Sequence, residues 1–401
     1  MTAQTFDLPR RRTPLALFAY GFRPFFLLAG LSAPALLVAW LLVLNGILPS
    51  DGAVAPVSWH AHELLFGFTA AAIAGFMLTA IPNWTGAAPV TGAPLAALAA
   101  LWLAGRIASL PPLATGWVAG AIDLAFFPAL GAAVAIPLLR AGKWRNTAFL
   151  VLLALLTAGN LLFRLDWLGV ATDGAARGIA LTTGVVLLMV AVIGGRIIPA
   201  FTRNALRARG DGTEVGGPCI LDALALATTA AMVVADLTLP SGPLAGALAL
   251  AATVAHGMRL ARWRGDRTLG QPILWILHLG YGWIAVALAL KAAWLLGGLA
   301  LGAAWLHALT VGAFGTMILA VMSRATLGHT GRPLVAPRGT VVGYALLTLA
   351  AAVRVASPLL PGALPGDGLT VAGLLWTAAF ALFVHDYAPL LLRPRGDGRP
   401  G

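Results

Sequence analysis

The fold class is decided by residues 59–86, WHAHELLFGFTAAAIAGFMLTAIPNWTG. This stretch opens with His60, His62 and Glu63 and continues through apolar or small residues. An apolar run of about twenty residues is long enough to cross a bilayer as a helix. Ionisable groups at the end of such a span are costly to place there, so they indicate a functional site. A second stretch, LHALTVGAFGTMILAVMSRATLGHTGRPL (306–334), has the same order of histidine, apolar run and polar end.

The composition excludes a soluble protein. Of the 401 residues, 60% are hydrophobic and only 10% are charged, and the mean hydropathy is +0.89. Soluble domains carry about 25% charged residues. We therefore predict an all-α polytopic membrane protein in which the whole chain, 1–401, forms one transmembrane domain. The single cysteine, Cys219, excludes an intrachain disulfide and a multi-cysteine metal site.

The hydropathy pattern predicts twelve membrane spans. Each is a run of about twenty residues that are mainly apolar. The predicted spans are 22–45, 60–82, 93–111, 115–139, 147–168, 177–199, 218–238, 241–260, 272–296, 301–323, 340–361 and 369–392. The chain that precedes and follows them forms short tails, 1–14 and 393–401.

Basic residues concentrate in alternate loops, those after the fourth, sixth, eighth and tenth predicted spans. They are Arg140, Lys143, Arg145, Arg203, Arg207, Arg209, Arg259, Arg262, Arg264, Arg267, Arg324, Arg332 and Arg338. Basic loops stay in the cytoplasm, so both termini are predicted to be cytoplasmic. The net charge of +12 thus reflects membrane topology. No nucleic-acid partner is expected, since no soluble stretch is large enough for a nucleic-acid-binding domain.

The second, sixth and tenth predicted spans end in similar sequences, TAIPNWTG (79–86), GRIIPAFTRNA (195–205) and VMSRATLGHTG (321–331). All three run from the outer face to the cytoplasm in the predicted topology. A repeat at an interval of four helices would give three four-helix units. The alternative is chance similarity over a few positions.

The histidines fall into two groups by predicted depth. His60 and His62 open an inward-running span, and His307 lies about 9 Å into another at 1.5 Å per residue. This is the outer group. His278 and His329 lie near the cytoplasm and form the inner group, with His385 as a further candidate member. His329 is about 33 Å from His307 if the chain between them is helical. One metal ion cannot bind both groups.

The outer group predicts a haem held between two spans. Neutral imidazole is a common ligand of haem iron and of copper. His60 and His62 are about 200° apart on a helix, so one of them ligates together with His307. We prefer His62, since it lies further into the span and Glu63 beside it can fix its tautomer. The alternative is that this pair anchors the span at the interface. Small residues nearby, Gly67, Gly312 and Gly315, leave room for a flat macrocycle.

The inner group predicts a separate polar site. Imidazole suits copper, and His278 and His329 cannot reach the outer histidines. The alternative is a hydrogen-bonded pair between helix ends. Three arginines lie on the face where positive charge is not expected, Arg106, Arg164 and Arg354. A bound anion, such as the haem propionates, would explain them.

Several long motifs in the same order resemble the NnrS family of bacterial inner-membrane proteins. They are FRPFFLLAG (22–30), WHAHELLFGF (59–68), IAGFMLTAIPNWTG (73–86), GGRIIPAFTRNAL (194–206), HLGYGWIAVALALKA (278–292) and HALTVGAFGTMILAVMSRATLGHTGRPL (307–334). The resemblance implies a multi-pass protein that contains haem, taken here as b-type, and copper. It also implies a link to nitric oxide and to resistance to nitrosative stress. The matching motif residues are His60, His62, Glu63, Asn83, Arg203, His278, His307, Arg324 and His329.

A more distant comparison is with haem–copper oxidase subunits, which also have twelve helices in three groups of four. They bind a low-spin haem between histidines of the second and tenth helices, which is where His60, His62 and His307 lie here. This is fold-level analogy. Two other functions remain open: a transporter of a metal, metal complex or small anion that uses the same histidines, and a structural or assembly partner of a respiratory complex. A respiratory or denitrification protein is also a candidate partner.

Overall fold

The computed structural model describes residues 16–49, 54–142, 144–359 and 367–397. Within these ranges the chain is almost entirely helical and contains no β-strand. The predicted tail 1–14 and the last residues of the predicted tail 393–401 lie outside the described residues. The prediction of an all-α polytopic membrane protein is confirmed.

Twelve apolar helices follow one another along the described chain, joined by short loops. They are α1 (Phe22–Leu44), α2 (Pro56–Thr85), α3 (Gly92–Ala108), α4 (Trp117–Arg140), α5 (Trp144–Trp167), α6 (Gly174–Ala208), α7 (Ile220–Thr238), α8 (Pro243–Ala261), α9 (Pro272–Gly297), α10 (Gly302–His329), α11 (Arg338–Ala356) and α12 (Gly368–Leu392). Eleven are long and apolar enough to cross a membrane, and α3 is a shorter apolar helix of 17 residues.

Local signals explain where several helices begin and end. Pro56, Pro243 and Pro272 lie in the first turn of α2, α8 and α9. Proline lacks a backbone N–H, and in the first turn that group would have no partner within the helix. Gly86 and Gly298 follow α2 and α9 in the left-handed conformation, with φ of 76° and 66°. Glycine adopts this conformation without a steric penalty, so it ends a helix readily.

The helices α2, α6 and α10 form the centre of the bundle. Their most apolar stretches are 78%, 61% and 67% buried, more than those of any other described candidate span. These are the three helices whose ends have similar sequences. Their shared central position is compatible with three four-helix units, and that repeat stays a prediction.

Contacts between loops show which helix ends share a side. The Gly216 N–H donates to the Arg262 carbonyl over 2.9 Å, which joins the loop after α6 to the loop after α8. The Ala16 N–H donates to the Leu392 carbonyl over 3.0 Å, which joins the start of α1 to the end of α12. We call the side where α4, α6, α8 and α10 end the arginine-rich end.

Other contacts join the opposite side, where α2, α6 and α10 begin. The Trp59 indole N–H donates to the Ser109 carbonyl over 2.9 Å, and the Trp167 indole N–H donates to the Ser58 hydroxyl over 2.8 Å. We call this side the arginine-poor end. Both groups of contacts agree with the alternation of loops that the charge pattern predicts.

Two of the central helices contain a π-helical segment. In α2 it covers Glu63–Thr69, directly after His62, and in α10 it covers Ala308–Gly315, directly after His307. A π segment shifts the register of the residues before it relative to those after it, and such segments are frequent at functional sites. Both segments lie in the half of the bundle next to the arginine-poor end.

Candidate functional site

A cavity of about 410 Å³ lies in the half of the bundle next to the arginine-poor end. Its wall is built by α1, α2, α6, α10, α11 and α12, and it includes His60, His307 and Arg354. The rest of the wall is apolar or aromatic, apart from three threonines, Thr69, Thr183 and Thr310. Pockets for cofactors and other small molecules have volumes of about 300–1,000 Å³ and mainly apolar walls.

His307 presents one free ring nitrogen at this cavity. Its Nδ1 lies 2.8 Å from the Ala303 carbonyl one turn earlier in α10. A carbonyl only accepts, so Nδ1 carries the hydrogen and Nε2 keeps its lone pair. A ring N–H bonded to a backbone carbonyl is the usual arrangement for a histidine that binds a metal through the other nitrogen.

His60 stacks on an aromatic ring and has a buried nitrogen without a partner. Its imidazole is 4.7 Å from the Trp40 ring, at an interplanar angle of 23°. Among the described residues, Nδ1 of His60 has no hydrogen-bond partner. A buried polar atom without a partner is costly and calls for a ligand or a water molecule. His60 and His307, which line one cavity, therefore fit a group that binds two imidazoles.

Arg354 is the basic residue of the cavity wall. It lies near His60, His307 and Asp367. Asp367 caps α12, and hydrogen bonds from the Thr370 hydroxyl and from the Leu369 N–H lower the pKa of its carboxyl. Arg354 makes no hydrogen bond or ion pair with another described residue, so its guanidinium is available to an anion in the cavity.

His62 lies elsewhere, with both ring nitrogens in hydrogen bonds to protein. Its Nδ1 is 2.9 Å from Glu63 Oε1, and its Nε2 is 3.0 Å from Asn160 Oδ1 and 3.2 Å from Asp123 Oδ2. The side chain is fully buried and is absent from the cavity wall. Metal ligation by His62 would break one of these hydrogen bonds, so the structure favours His60 over the residue we preferred from the sequence.

Arg106 belongs to the same buried network and not to the cavity wall. It forms ion pairs with Glu63, over 2.6 Å, and with Asp123. Arg164 also forms an ion pair with Asp123, over 2.8 Å, and donates to the Ala114 carbonyl. Glu63 and Asp123 therefore already neutralise Arg106 and Arg164. This argues against the expectation that these two arginines bind an external anion. Of the three arginines singled out from the sequence, Arg354 is the one on the cavity wall.

Sequence reasoning missed Asp123, which is 2% exposed and contacts His62, Arg106, Arg164 and Asn160. The signal was available, because an acidic residue in the middle of an apolar span is rare and needs a partner inside the bundle. The identity of its partners was not available, since it depends on how α2, α3, α4 and α5 pack together.

The structure does not bring His278 and His329 into contact. His278 Nε2 lies 2.9 Å from the Thr202 hydroxyl in α6, and its buried Nδ1 has no hydrogen-bond partner among the described residues. His329 packs against the rings of Tyr20 and Phe22. Within the described ranges, no group of three histidine, cysteine, aspartate or glutamate side chains is arranged to bind a metal ion.

The other motif residues at the arginine-rich end have local contacts. The Asn83 amide donates to the Thr79 carbonyl over 2.8 Å, and Arg203 donates to the Val215 carbonyl over 3.5 Å. The Arg324 guanidinium lies over the Phe201 ring, 4.0 Å from its centre. None of them lines the cavity of His60 and His307, so they contribute to that site only through the packing of the helices.

The arrangement suits a flat, mainly apolar group with an anionic edge. Two imidazoles offer nitrogen ligands, one guanidinium offers a charge partner, and the aromatic and aliphatic wall offers apolar contacts. Haem has these properties, and its iron takes histidine ligands from proteins. The site thus fits haem by its donor set and by its lining.

Comparison with known proteins supports a family relationship. A model of the family described as NnrS protein matches residues 16–395, nearly the whole chain. A search of curated proteins gave no match. The match includes all twelve helices and therefore both histidines of the cavity.

Proposed function

The chain belongs to the NnrS family of membrane proteins, which are related to the nitric oxide response, and from this premise we propose that it binds haem between α2 and α10. His60 and His307 are the proposed iron ligands, and Arg354 is the proposed partner of the propionates. The observation that carries the proposal is the cavity of about 410 Å³ into which all three side chains face.

Haem bound there would supply an iron centre able to bind nitric oxide or to pass an electron. The protein's own residues would hold the group and orient the two histidine rings. The Ala303 carbonyl orients His307 through Nδ1, over 2.8 Å. Trp40 holds the His60 ring by stacking. Leu64, Phe68 and the other apolar wall residues would contact the apolar faces of the group. His60 and His307 would both be engaged as ligands, so a small ligand such as nitric oxide could bind there only if one of these two side chains moved away.

The only support for copper is the membership of the family. Of the inner histidines, His278 has the buried ring nitrogen without a partner among the described residues, so we retain it as the candidate ligand. His278→Ala is expected to lower the copper content of the purified protein, while His329→Ala should not, because His329 is occupied by aromatic packing. If both variants and the wild type have the same copper content, His278 has a structural role and is not a copper ligand.

The cellular setting follows from the same proposal. The helices make the chain a multi-pass membrane protein. We propose the bacterial inner membrane, with the arginine-rich end in the cytoplasm and the haem near the outer face. Electron exchange at that depth would use a respiratory or denitrification partner protein. Nitric oxide is the proposed small ligand.

An optical spectrum of the detergent-purified full-length protein, combined with iron and copper analysis, tests the proposal. Bound haem gives a Soret band and a fixed ratio of iron to protein. A transporter that uses the same cavity for a substrate would give neither. Protein produced with adequate haem supply that shows no Soret band would overturn the proposed function and favour transport.

A further inference from the structure

The three central helices align with one another without a gap, over 62–86 of α2, 179–203 of α6 and 307–331 of α10. In this alignment His62 matches His307, and a π-helical segment directly follows each of them. The matched positions also include three glycines, Gly67, Gly184 and Gly312, and three threonines, Thr85, Thr202 and Thr330. Each threonine hydroxyl donates to the carbonyl four residues earlier, over 2.8, 2.9 and 2.6 Å.

Contacts pass from one central helix to the next in the same way. Arg196 of α6 lies over the Trp84 ring of α2, and Arg324 of α10 lies over the Phe201 ring of α6. The alignment matches the two arginines with each other and the two rings with each other. A repeated unit of four helices produces such recurring contacts. We call α1–α4, α5–α8 and α9–α12 the first, second and third units.

The cavity and the surroundings of His62 are equivalent clefts between units. The cavity lies mainly between the third and first units, and the network around His62 lies between the first and second. Each cleft takes a histidine from the second helix of a unit, an arginine from its third helix and a tryptophan from the first helix of the next unit. These residues are His307, Arg354 and Trp40 in the cavity, and His62, Arg106 and Trp167 in the network.

The third helix of each unit places a charged residue at the same position, third from its last residue. These residues are Arg106 in α3, Asp236 in α7 and Arg354 in α11. In two of the three units the chain supplies the opposite charge. Arg106 pairs with Glu63 over 2.6 Å, and Asp236 pairs with Lys291 over 2.5 Å. Arg354 forms no ion pair with another described residue.

The missing partner of Arg354 has an energetic consequence. Arg354 is half-buried and lies on the cavity wall. Asp367, the carboxylate near it, is exposed and accepts hydrogen bonds from Thr370 and from the Leu369 N–H instead. Charges inside a membrane-spanning bundle are costly unless they are paired. A cation that entered the cavity would add a repulsion of like charges, which is strong away from bulk water.

We propose that the cavity is one of three equivalent clefts, and that its ligand supplies at Arg354 the opposite charge that the chain itself supplies in the other two. The ligand is therefore an anion with an acidic group directed at Arg354. That a ligand occupies this cavity rests on the proposed function, whereas the sign of its charge does not require haem. A transporter that used the same cavity would carry an anion or an anionic metal complex, not a bare metal cation.

A carboxylate supplied by the chain tests this inference. Leu369 of α12 lines the cavity together with Arg354. Leu369→Glu adds the negative charge, and Leu369→Gln is a control of nearly the same shape. In the haem-free full-length protein, Leu369→Glu should unfold at a higher temperature than Leu369→Gln, because the glutamate neutralises Arg354. In an Arg354→Gln background this difference should disappear.

A further control separates this effect from that of the helix N-terminus, where any negative charge is stabilising. Val371 lies in the same turn of α12, is 37% exposed and does not line the cavity. Val371→Glu and Val371→Gln should therefore differ only by the contribution of the helix dipole. A difference at position 369 that is no larger than the difference at position 371 would overturn the inference.

A second measurement uses the wild-type chain and so does not depend on the folding of a variant. The haem-free protein is titrated with iron-free protoporphyrin, which carries two carboxylates, and with its uncharged dimethyl ester. The diacid should bind at least about tenfold more tightly than the diester, because only the diacid forms a charged hydrogen bond with Arg354. Equal affinities would overturn the inference. Stabilisation by Leu369→Glu in a protein that binds no haem would support the inference and overturn only the proposed function.

Discussion

His60 and His62 differ in what surrounds their ring nitrogens, and this difference decides which one is available to a ligand. Both nitrogens of His62 are within 3.0 Å of oxygen atoms of Glu63 and Asn160. His60 has a buried Nδ1 without a partner among the described residues and lines the cavity. Two positions on one helix therefore have separate roles: His62 holds α2 to its neighbours, and His60 faces the proposed ligand.

Removing the charge of Arg354 should weaken haem retention. Hydrogen bonds to charged groups contribute about 1.5–3 kcal/mol, so Arg354→Gln should raise the rate or extent of haem loss about tenfold or more. Transfer of haem to an apo-globin acceptor measures this loss. Arg177→Gln is the matched control, because Arg177 is exposed near the same end of the bundle. Equal haem loss in both variants would show that Arg354 does not contact the propionates.

Removing Asp123 should destabilise the whole fold. Its carboxylate forms ion pairs with Arg106 and Arg164 in a buried setting. Breaking such pairs by removing one partner costs about 3–5 kcal/mol, because uncompensated charge stays buried. Asp123→Asn should therefore lower the thermal unfolding temperature strongly in detergent. Asp266→Asn, which breaks an exposed ion pair with Arg264, should leave that temperature nearly unchanged. A similar unfolding temperature for both variants would contradict this account of the network.

At the scale of helices, glycines bring bulky side chains close to α10. A Cβ on Gly312 would lie 2.6 Å from the Trp283 ring, and one on Gly315 would lie 2.5 Å from the Trp376 ring. Neither these glycines nor Gly67 lines the cavity. The expectation that they leave room for the macrocycle is therefore wrong in its detail, because they accommodate neighbouring side chains.

Gly315→Ala should disturb the cavity through Trp376, which is part of its wall. The added methyl group would displace the indole and weaken its hydrogen bond to the Ala33 carbonyl, now 3.1 Å long. We expect a lower unfolding temperature and a lower haem content. Gly257→Ala is the control, because no atom lies within 4 Å of the position of its Cβ. Alanine favours a helix over glycine by about 1 kcal/mol, so that variant should be no less stable than the wild type.

The π-helical segments are a feature that sequence patterns did not predict. Hydropathy predicted the bounds of α1, α9 and α12 to within a residue, since span length is set by bilayer thickness. It also predicted α2 and α10 as spans. Hydropathy does not report the hydrogen-bond register inside a span, so the shift from α to π geometry after His62 and His307 was not visible.

At the scale of the whole molecule, loop charges predicted which helix ends share a side, and the contacts at both ends agree. The sequence also predicted that the haem ligands lie on α2 and α10, and this stays a prediction. It favoured His62 as the partner of His307, whereas His60 is the one that lines the cavity with His307, because the sequence does not give the direction in which each side chain points. That direction is decided by packing against α3, α4 and α5, through partners such as Asp123 and Asn160 that are distant in sequence.

The orientation of the molecule in the membrane is also testable. Reporter fusions near Arg145, Arg207, Arg264 and Arg338 should report the cytoplasm, because basic loops resist translocation. A fusion in the loop before Gly174 should report the opposite side. A non-cytoplasmic signal at two or more of the four basic positions would invert the assignment and place the haem cavity near the cytoplasm.

The central claim is that His60 and His307 hold a haem in the shared cavity. The most direct measurement is the optical and electron paramagnetic resonance spectrum of the purified protein with His60→Gln, His307→Gln or His62→Gln. Glutamine keeps hydrogen-bonding capacity without supplying an imidazole ligand. We expect the first two variants to lose haem or to become high-spin, and His62→Gln to keep the wild-type low-spin spectrum. Wild-type spectra for His60→Gln and His307→Gln, or loss of the low-spin signal in His62→Gln alone, would contradict the account.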